Sequence, residues 1–129
     1  MKEIFRQRVD YACRSGNQFL GKNEWKWRNY VAKWRKVLSF YFPKCLSIAT
    51  RRRKLEIIRF YHGRPLDHDN LATGLKPVVD FFKKSWIMDD DELNCEIVIE
   101  QYKVVSKVLK TSLRVDQLDY LEIALFEPD

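Results

Sequence analysis

The middle of the chain alternates between strand-like and helix-like patterns, and this alternation restricts it to an α/β fold. Residues 55–61 are rich in β-branched and aromatic side chains, over a length that favours a strand. Residues 93–103 read as another strand. Between them, residues 70–84 predict a helix, whose inward positions are Leu71, Leu75, Val78, Val79 and Phe82.

A second helix is predicted earlier in the chain, over residues 23–42. Asn23 can cap its start, and Pro43 ends it. One apolar stripe at helical spacing consists of Trp27, Tyr30, Val31, Trp34, Leu38 and Tyr41. Such a stripe is far more typical of a buried core than of a platform for stacking bases.

The remaining segments complete a single predicted domain, residues 1–129. Residues 118–126 resemble a final strand, residues 1–20 fit either an early strand or a short helix, and residues 104–117 have no clear pattern. The chain has only four glycines and four prolines, and no repeat or linker interrupts it. We therefore expect an α/β fold with a mixed β-sheet of about four strands packed with two main helices.

Two residues oppose the predicted helix over residues 70–84. Gly74 lowers helix propensity, and Pro77 cannot donate to the carbonyl of Thr73. We therefore expect a kink or a late helix start, with Asn70 able to cap the helix.

Charge is distributed unevenly along the chain. The formal net charge is +6, yet residues 1–64 contain 17 basic and 4 acidic side chains, whereas residues 65–129 contain 7 basic and 14 acidic ones. A basic half of this kind is a footprint for nucleic acid, with a membrane surface or simple solubility as rival interpretations.

The cysteine pattern and the apolar runs indicate a cytoplasmic protein without a membrane partner. Cys13, Cys45 and Cys95 are odd in number and form no C-x-x-C motif, so reduced thiols are the simplest interpretation. No apolar run approaches the ~20 residues of a membrane span. The first residues lack the apolar centre of a signal peptide.

Two aspartates follow the strand predicted over residues 55–61. In an extended segment side chains alternate, so Asp67 and Asp69 would point to one side and His68 to the other. Two carboxylates on one side suit Mg²⁺, a hard cation that prefers oxygen ligands.

A lysine and a second acidic cluster extend this pattern. Lys76 and Asp80 are four residues apart and share a helix face, so Lys76 can meet a phosphate held near the metal. The aspartates at 89–91 end the following loop, where a chain reversal can return one more carboxylate. Each element also has an ordinary interpretation, namely a surface turn for D-x-D and for residues 89–91, and a solvated helix residue for Lys76.

The order of these motifs resembles that of the RusA family of Holliday junction resolvases, which are common in prophages. The resemblance covers roughly residues 52–103 and rests on Asp67-His68-Asp69-Asn70-Leu71, on Lys76 with Asp80 four residues later, and on Asp89-Asp90 with Leu93 three residues on. It implies a RusA-like, homodimeric endodeoxyribonuclease that uses Mg²⁺ to nick four-way junctions and other branched DNA. A two-fold dimer matches the two symmetric nicks that a junction requires.

The resemblance also assigns residues. It implies that Asp67, Asp69 and Asp90 are catalytic metal ligands, with Asp91 as the alternative to Asp90, and that Lys76 is needed for cleavage but not for DNA binding. Two features depart from the family pattern: Lys76 lies seven rather than four residues after the second aspartate, and a proline-rich basic N-terminus is not evident.

Basic residues outside the acidic motifs are the predicted contacts to DNA phosphates. They are Lys26, Lys33, Lys36, Arg51, Arg52, Arg53 and Lys54. Two other functions remain open at this point: a catalytically inactive RusA-like nucleic-acid-binding protein, and a protein-interaction module whose basic half meets an acidic partner.

Overall fold

The computed structural model describes residues 1–19, 21, 24–45, 47–104 and 118–129. These residues build a four-stranded sheet in the order β1-β4-β2-β3. The strands are β1 (Lys2–Val9), β2 (Arg53–Tyr61), β3 (Cys95–Lys103) and β4 (Tyr120–Glu127). Strands β2 and β3 are parallel, whereas β4 is antiparallel to both β1 and β2. The predicted α/β class and mixed four-stranded sheet are confirmed.

Two long helices pack with this sheet, as expected. They are α1 (Glu24–Tyr41) and α2 (His68–Phe82), and a short 3₁₀ helix (Gly16–Phe19) precedes α1. Of the two alternatives for residues 1–20, the early strand is present as β1, with the 3₁₀ helix behind it. The predicted cap Asn23 and residues 105–117 lie outside the described residues. Neither helix in the described part of the chain is long and apolar enough to cross a membrane.

Helix α2 begins earlier than the sequence suggests. Asp67 is its N-cap and accepts a hydrogen bond from the Asn70 N–H at 2.9 Å, so the expected capping role of Asn70 is wrong. A late start is wrong too, because Pro77 lies well inside the helix and is buried. The apolar face of α2 explains this tolerance, since its burial outweighs the one backbone hydrogen bond that Pro77 removes.

The core lies between the helices and one face of the sheet. The buried side chains of α1 are Tyr30, Trp34 and Leu38, which confirms that the aromatic stripe is mainly core. In β2, alternate residues from Arg53 to Arg59 point to the same buried side as Leu55 and Ile57. Both ends of this inward row therefore carry a buried arginine.

Candidate active site

The Asp67 and Asp69 carboxylates lie at the exposed N-terminus of α2, not in an extended segment. Asp67 precedes the helix, while His68 and Asp69 already belong to its first turn. The expected alternation of side chains is therefore wrong, because backbone hydrogen bonding to the Asp67 cap starts the helix there. Hydrogen bonds from the Asn70 backbone and side chain hold the pKa of the Asp67 carboxyl below its usual range, which favours the ionised form.

The residue before this helix is fixed to the sheet by a glutamine. Gln101 in β3 accepts from the Leu66 N–H at 3.2 Å and donates to the Leu66 carbonyl at 2.5 Å. The same amide oxygen of Gln101 accepts from the Arg59 guanidinium at 3.0 Å. Because Leu66 adjoins Asp67, these bonds position the start of α2 relative to the sheet. No local pattern in the sequence indicates Gln101, because its partners are distant along the chain.

A buried ion pair between Arg59 and Asp119 holds the guanidinium that donates to Gln101. Arg59 and Asp119 are 5% and 4% exposed, and their side chains meet at 3.0 Å. Asp119 also accepts from the His62 backbone N–H at 3.0 Å, and its carboxylate lies 3.1 Å from His62 Nδ1. The signal for Arg59 was present in the sequence, since an arginine two residues from Ile57 falls on the inward row of a strand.

We expect Asp119→Ala to lower the free energy of unfolding by about 3–5 kcal/mol, because it leaves the Arg59 charge buried without its partner. Urea denaturation measures the loss. Asp10→Ala is the matched control, since Asp10 is an exposed aspartate paired with Arg8 at 2.7 Å and its loss should cost less than about 1 kcal/mol. Equal effects of the two substitutions would contradict the structural role of Asp119.

The solvent-facing side of α2 carries a row of polar residues at helical spacing. This α2 stripe consists of Asp69, Thr73, Lys76 and Asp80, all of which are exposed. The Lys76 ammonium is 3.8 Å from the Asp80 carboxylate. The predicted sharing of a face by Lys76 and Asp80 is therefore confirmed, and Asp69 lies on the same side.

Lys83 links the end of the α2 stripe to the second acidic cluster. Its ammonium is 3.0 Å from an Asp90 oxygen and 3.2 Å from an Asp80 oxygen. Asp90 and Asp80 together raise the pKa of Lys83, and Lys83 lowers the pKa of Asp90. Asp90 is thus an ionised carboxylate held by Lys83, a residue that no motif of the sequence indicates.

One chain does not bring Asp90 to the first two aspartates. Asp67 lies at the N-terminus of α2 and Asp90 follows its C-terminus, and a helix of 15 residues is about 22 Å long. Within the described residues, no three histidine, cysteine or acidic side chains are grouped closely enough to hold a metal ion. The expectation that the reversal at residues 89–91 returns a third carboxylate to Asp67 and Asp69 is therefore wrong for a single chain. The crossover helix between the parallel strands β2 and β3 begins near the carboxyl end of β2 and ends near the amino end of β3.

The alternative ligand, Asp91, is engaged in its own turn. Its carboxylate accepts from the backbone N–H groups of Leu93 and Asn94 at 3.0 Å each, and from the Asn94 side chain at 2.9 Å. Asp89 similarly accepts from the Asp90 N–H at 2.8 Å. These bonds shape the loop before β3, whereas the Asp90 carboxylate pairs with Lys83 instead.

The predicted DNA contacts fall into two groups. Lys26, Lys33 and Lys36 are exposed on α1, whose only acidic residue, Glu24, pairs with Arg28 at 3.0 Å. This exposed side of α1 is basic along its length.

The second group, at the start of β2, is engaged within the protein. Arg53 is 3% exposed and bonds Ser47, the Trp86 carbonyl and Glu127, so its predicted contact with DNA is wrong. Arg51 pairs with Glu127 at 2.5 Å, and Lys54 lies 3.8 Å from Glu56. Arg52 is exposed and donates to the Glu92 carbonyl at 2.9 Å. Lys33 and Lys36, which are exposed on α1, are therefore better placed phosphate contacts than the residues at the start of β2.

Comparison with known proteins adds no assignment. No protein-family model matches the chain, and no curated protein matches it either.

Proposed function

We propose that this protein is a Mg²⁺-dependent endodeoxyribonuclease that nicks branched DNA, in the manner of the RusA family that its motifs resemble. The observation that carries the proposal is the exposed N-terminus of α2, where the Asp67 and Asp69 side chains both face solvent. The α2 stripe, which contains Lys76, begins at this end of the helix with Asp69. Exposed carboxylates with a cationic side chain further along the same helix face suit phosphodiester chemistry.

The first two aspartates fit Mg²⁺ without a third ligand from the same chain. Mg²⁺ is commonly held by one or two carboxylates together with substrate phosphates. Each Asp67 oxygen already accepts one hydrogen bond from Asn70, but a carboxylate has about four acceptor positions, so capacity for a cation remains. When bound, the ion would supply a water of lowered pKa and a contact to the scissile phosphate.

Lys76 would act on the substrate rather than on the metal. Its ammonium is exposed, and its contact with Asp80 at 3.8 Å is loose enough to be exchanged for a phosphate oxygen. Asp69 precedes it by two helical turns on the same side. A phosphate placed between them would meet the carboxylates at one end and the lysine at the other.

Dimerisation would supply the third carboxylate. Two copies related by a two-fold axis can place their α2 helices antiparallel, so that Asp90 of the partner subunit approaches Asp67 and Asp69. In such an antiparallel pair, the separation of about 22 Å between the two ends of α2 would bring Asp67 and Asp69 of each subunit opposite the partner subunit's Asp90. Both sites of such a dimer would be equivalent, as paired nicks require.

The substrate class is tested by titrating Mg²⁺ against cleavage of labelled four-way, three-way and linear DNA of the same sequence. The four-way and three-way substrates should be nicked in a Mg²⁺-dependent manner, and the linear duplex should be cut at least about tenfold more slowly. Equal cutting of all three would contradict branch selectivity.

A second candidate function is DNA binding without cleavage. The observation that favours it is the combination of a basic exposed α1 with three carboxylates that one chain does not gather. Tight binding to a junction with no nicking at any Mg²⁺ concentration would select this alternative.

Either function predicts a strong salt dependence carried by α1. Replacing Lys33 and Lys36 together by alanine should reduce the slope of log affinity against log salt by about 2, because each lysine that contacts a phosphate releases about one counterion. Fluorescence anisotropy with a labelled junction in EDTA measures the slope. A double variant of Lys2 and Lys44, exposed lysines outside α1, should retain the wild-type slope.

A further inference from the structure

A basic, partly aromatic pocket lies between the 3₁₀ helix and the first turns of α1. It has a volume of about 280 Å³. Its lining residues are Arg14, Gln18, Phe19, Trp25, Lys26, Asn29, Tyr30 and Lys33. Three of these side chains are cationic and none is acidic, so the pocket is electropositive and suits an anion.

Aromatic side chains give the pocket a second chemical character. Trp25 is 66% exposed, which is unusual for so large an apolar side chain and leaves its indole available to a ligand. Phe19 is held in place by an edge contact with Trp27, at 5.1 Å between ring centroids, and by Tyr30 at 4.8 Å. Proteins that bind single-stranded nucleic acid combine cations, which meet the phosphates, with exposed aromatic rings, on which the bases stack.

The pocket is also fixed to the candidate active site. The Tyr30 hydroxyl donates to the Gly74 carbonyl at 2.6 Å and accepts from the Arg14 N–H at 3.0 Å. A Cβ atom on Gly74 would collide with the Arg14 carbonyl oxygen, and one on Gly16 would collide with Thr73, so these glycines allow close packing on α2. Thr73 lies one turn from Asp69 on the α2 stripe.

We propose that this pocket binds one unstacked nucleotide of a DNA strand, with its base against Trp25 and its phosphate among Arg14, Lys26 and Lys33. The volume of about 280 Å³ is comparable with that of a single nucleotide. Branch points are where nucleotides unstack most readily, so the pocket would engage the strand beside the carboxylates of α2. The assignment rests on the proposed function for the identity of the polymer, but the binding itself requires neither Mg²⁺ nor cleavage.

The test measures anisotropy of a short fluorescein-labelled oligothymidylate in EDTA, together with an abasic oligomer of the same length and charge. The wild-type protein should bind oligothymidylate about tenfold more tightly than the abasic oligomer, because a base that stacks on an aromatic ring adds affinity. Trp25→Ala should bind the two oligomers equally and at the abasic level. Phe40→Ala is the matched control, since Phe40 is another exposed aromatic residue of α1 that does not line the pocket, and it should retain the preference.

A second pair of variants tests the phosphate contacts. Lys33→Ala should weaken binding of both oligomers, whereas Arg28→Ala removes a charge from the same helix outside the pocket and should change binding less. Equal affinity of the wild-type protein for both oligomers would overturn the base contact, as would an unchanged preference in Trp25→Ala. If the wild-type protein prefers oligothymidylate but does not nick a junction, the nuclease proposal is contradicted and the pocket proposal is not. If it nicks a junction but has no preference for oligothymidylate, only the pocket proposal is contradicted.

Discussion

Asp69→Asn is expected to reduce junction cleavage by about a thousandfold or more while junction binding stays equal or becomes tighter. A metal that holds the scissile phosphate and activates water contributes several kcal/mol to the transition state, and about 4 kcal/mol corresponds to this factor. Binding should survive because the exposed carboxylate repels DNA phosphates, and the amide has nearly the same shape. Single-turnover cleavage in Mg²⁺ and anisotropy in EDTA measure the two effects separately.

The control for this variant is Asp10→Asn, an exposed aspartate paired with Arg8 and distant in sequence from α2. It should cleave at the wild-type rate. Full activity of Asp69→Asn would show that the N-terminus of α2 does not take part in cleavage. Loss of DNA binding in Asp69→Asn would indicate a folding defect or a role in binding instead.

A heterodimer of one Asp69→Asn chain and one Asp90→Asn chain is expected to regain nicking that neither parent homodimer has. If each site combines Asp67 and Asp69 of one subunit with Asp90 of the other, one of the two sites in this heterodimer contains no substitution. The other site then contains both substitutions. Differently tagged chains, co-expressed and purified through both tags, provide the sample.

The heterodimer should nick one strand at about half the wild-type rate per dimer, without the paired nick on the opposite strand. A doubly tagged dimer of two Asp69→Asn chains should remain inactive and controls for contamination. If the mixed heterodimer is as inactive as its parents, the three carboxylates act within one chain, which would require the loop before β3 to rearrange on binding DNA.

The secondary structure was predictable because it depends on local patterns. The stripe through Tyr30 and Trp34 predicted α1, and the apolar run around Ile57 predicted β2. The start of α2 was less predictable, because D-x-D-N serves equally as a metal motif and as an N-cap followed by a first turn. The structure uses Asp67 as the cap, which leaves its carboxylate exposed and able to take a second role.

The arrangement of the site was only partly predictable from the sequence. The separation of Asp90 from Asp67 follows from the helix predicted between them, since 15 residues of helix span about 22 Å. The burial of Arg53 depends on Ser47, Trp86 and Glu127, which no local pattern connects. Gln101 and Asp119 were missed in the same way, since their partners lie far away along the chain.

The most direct test of a metal-dependent nuclease is the appearance of nicks in a labelled four-way junction incubated with the wild-type protein in Mg²⁺ and, in parallel, in EDTA. The proposal predicts paired nicks at symmetric positions on opposing strands in Mg²⁺, and an uncut junction in EDTA. A junction that is bound by the protein yet stays intact at every Mg²⁺ concentration would contradict it.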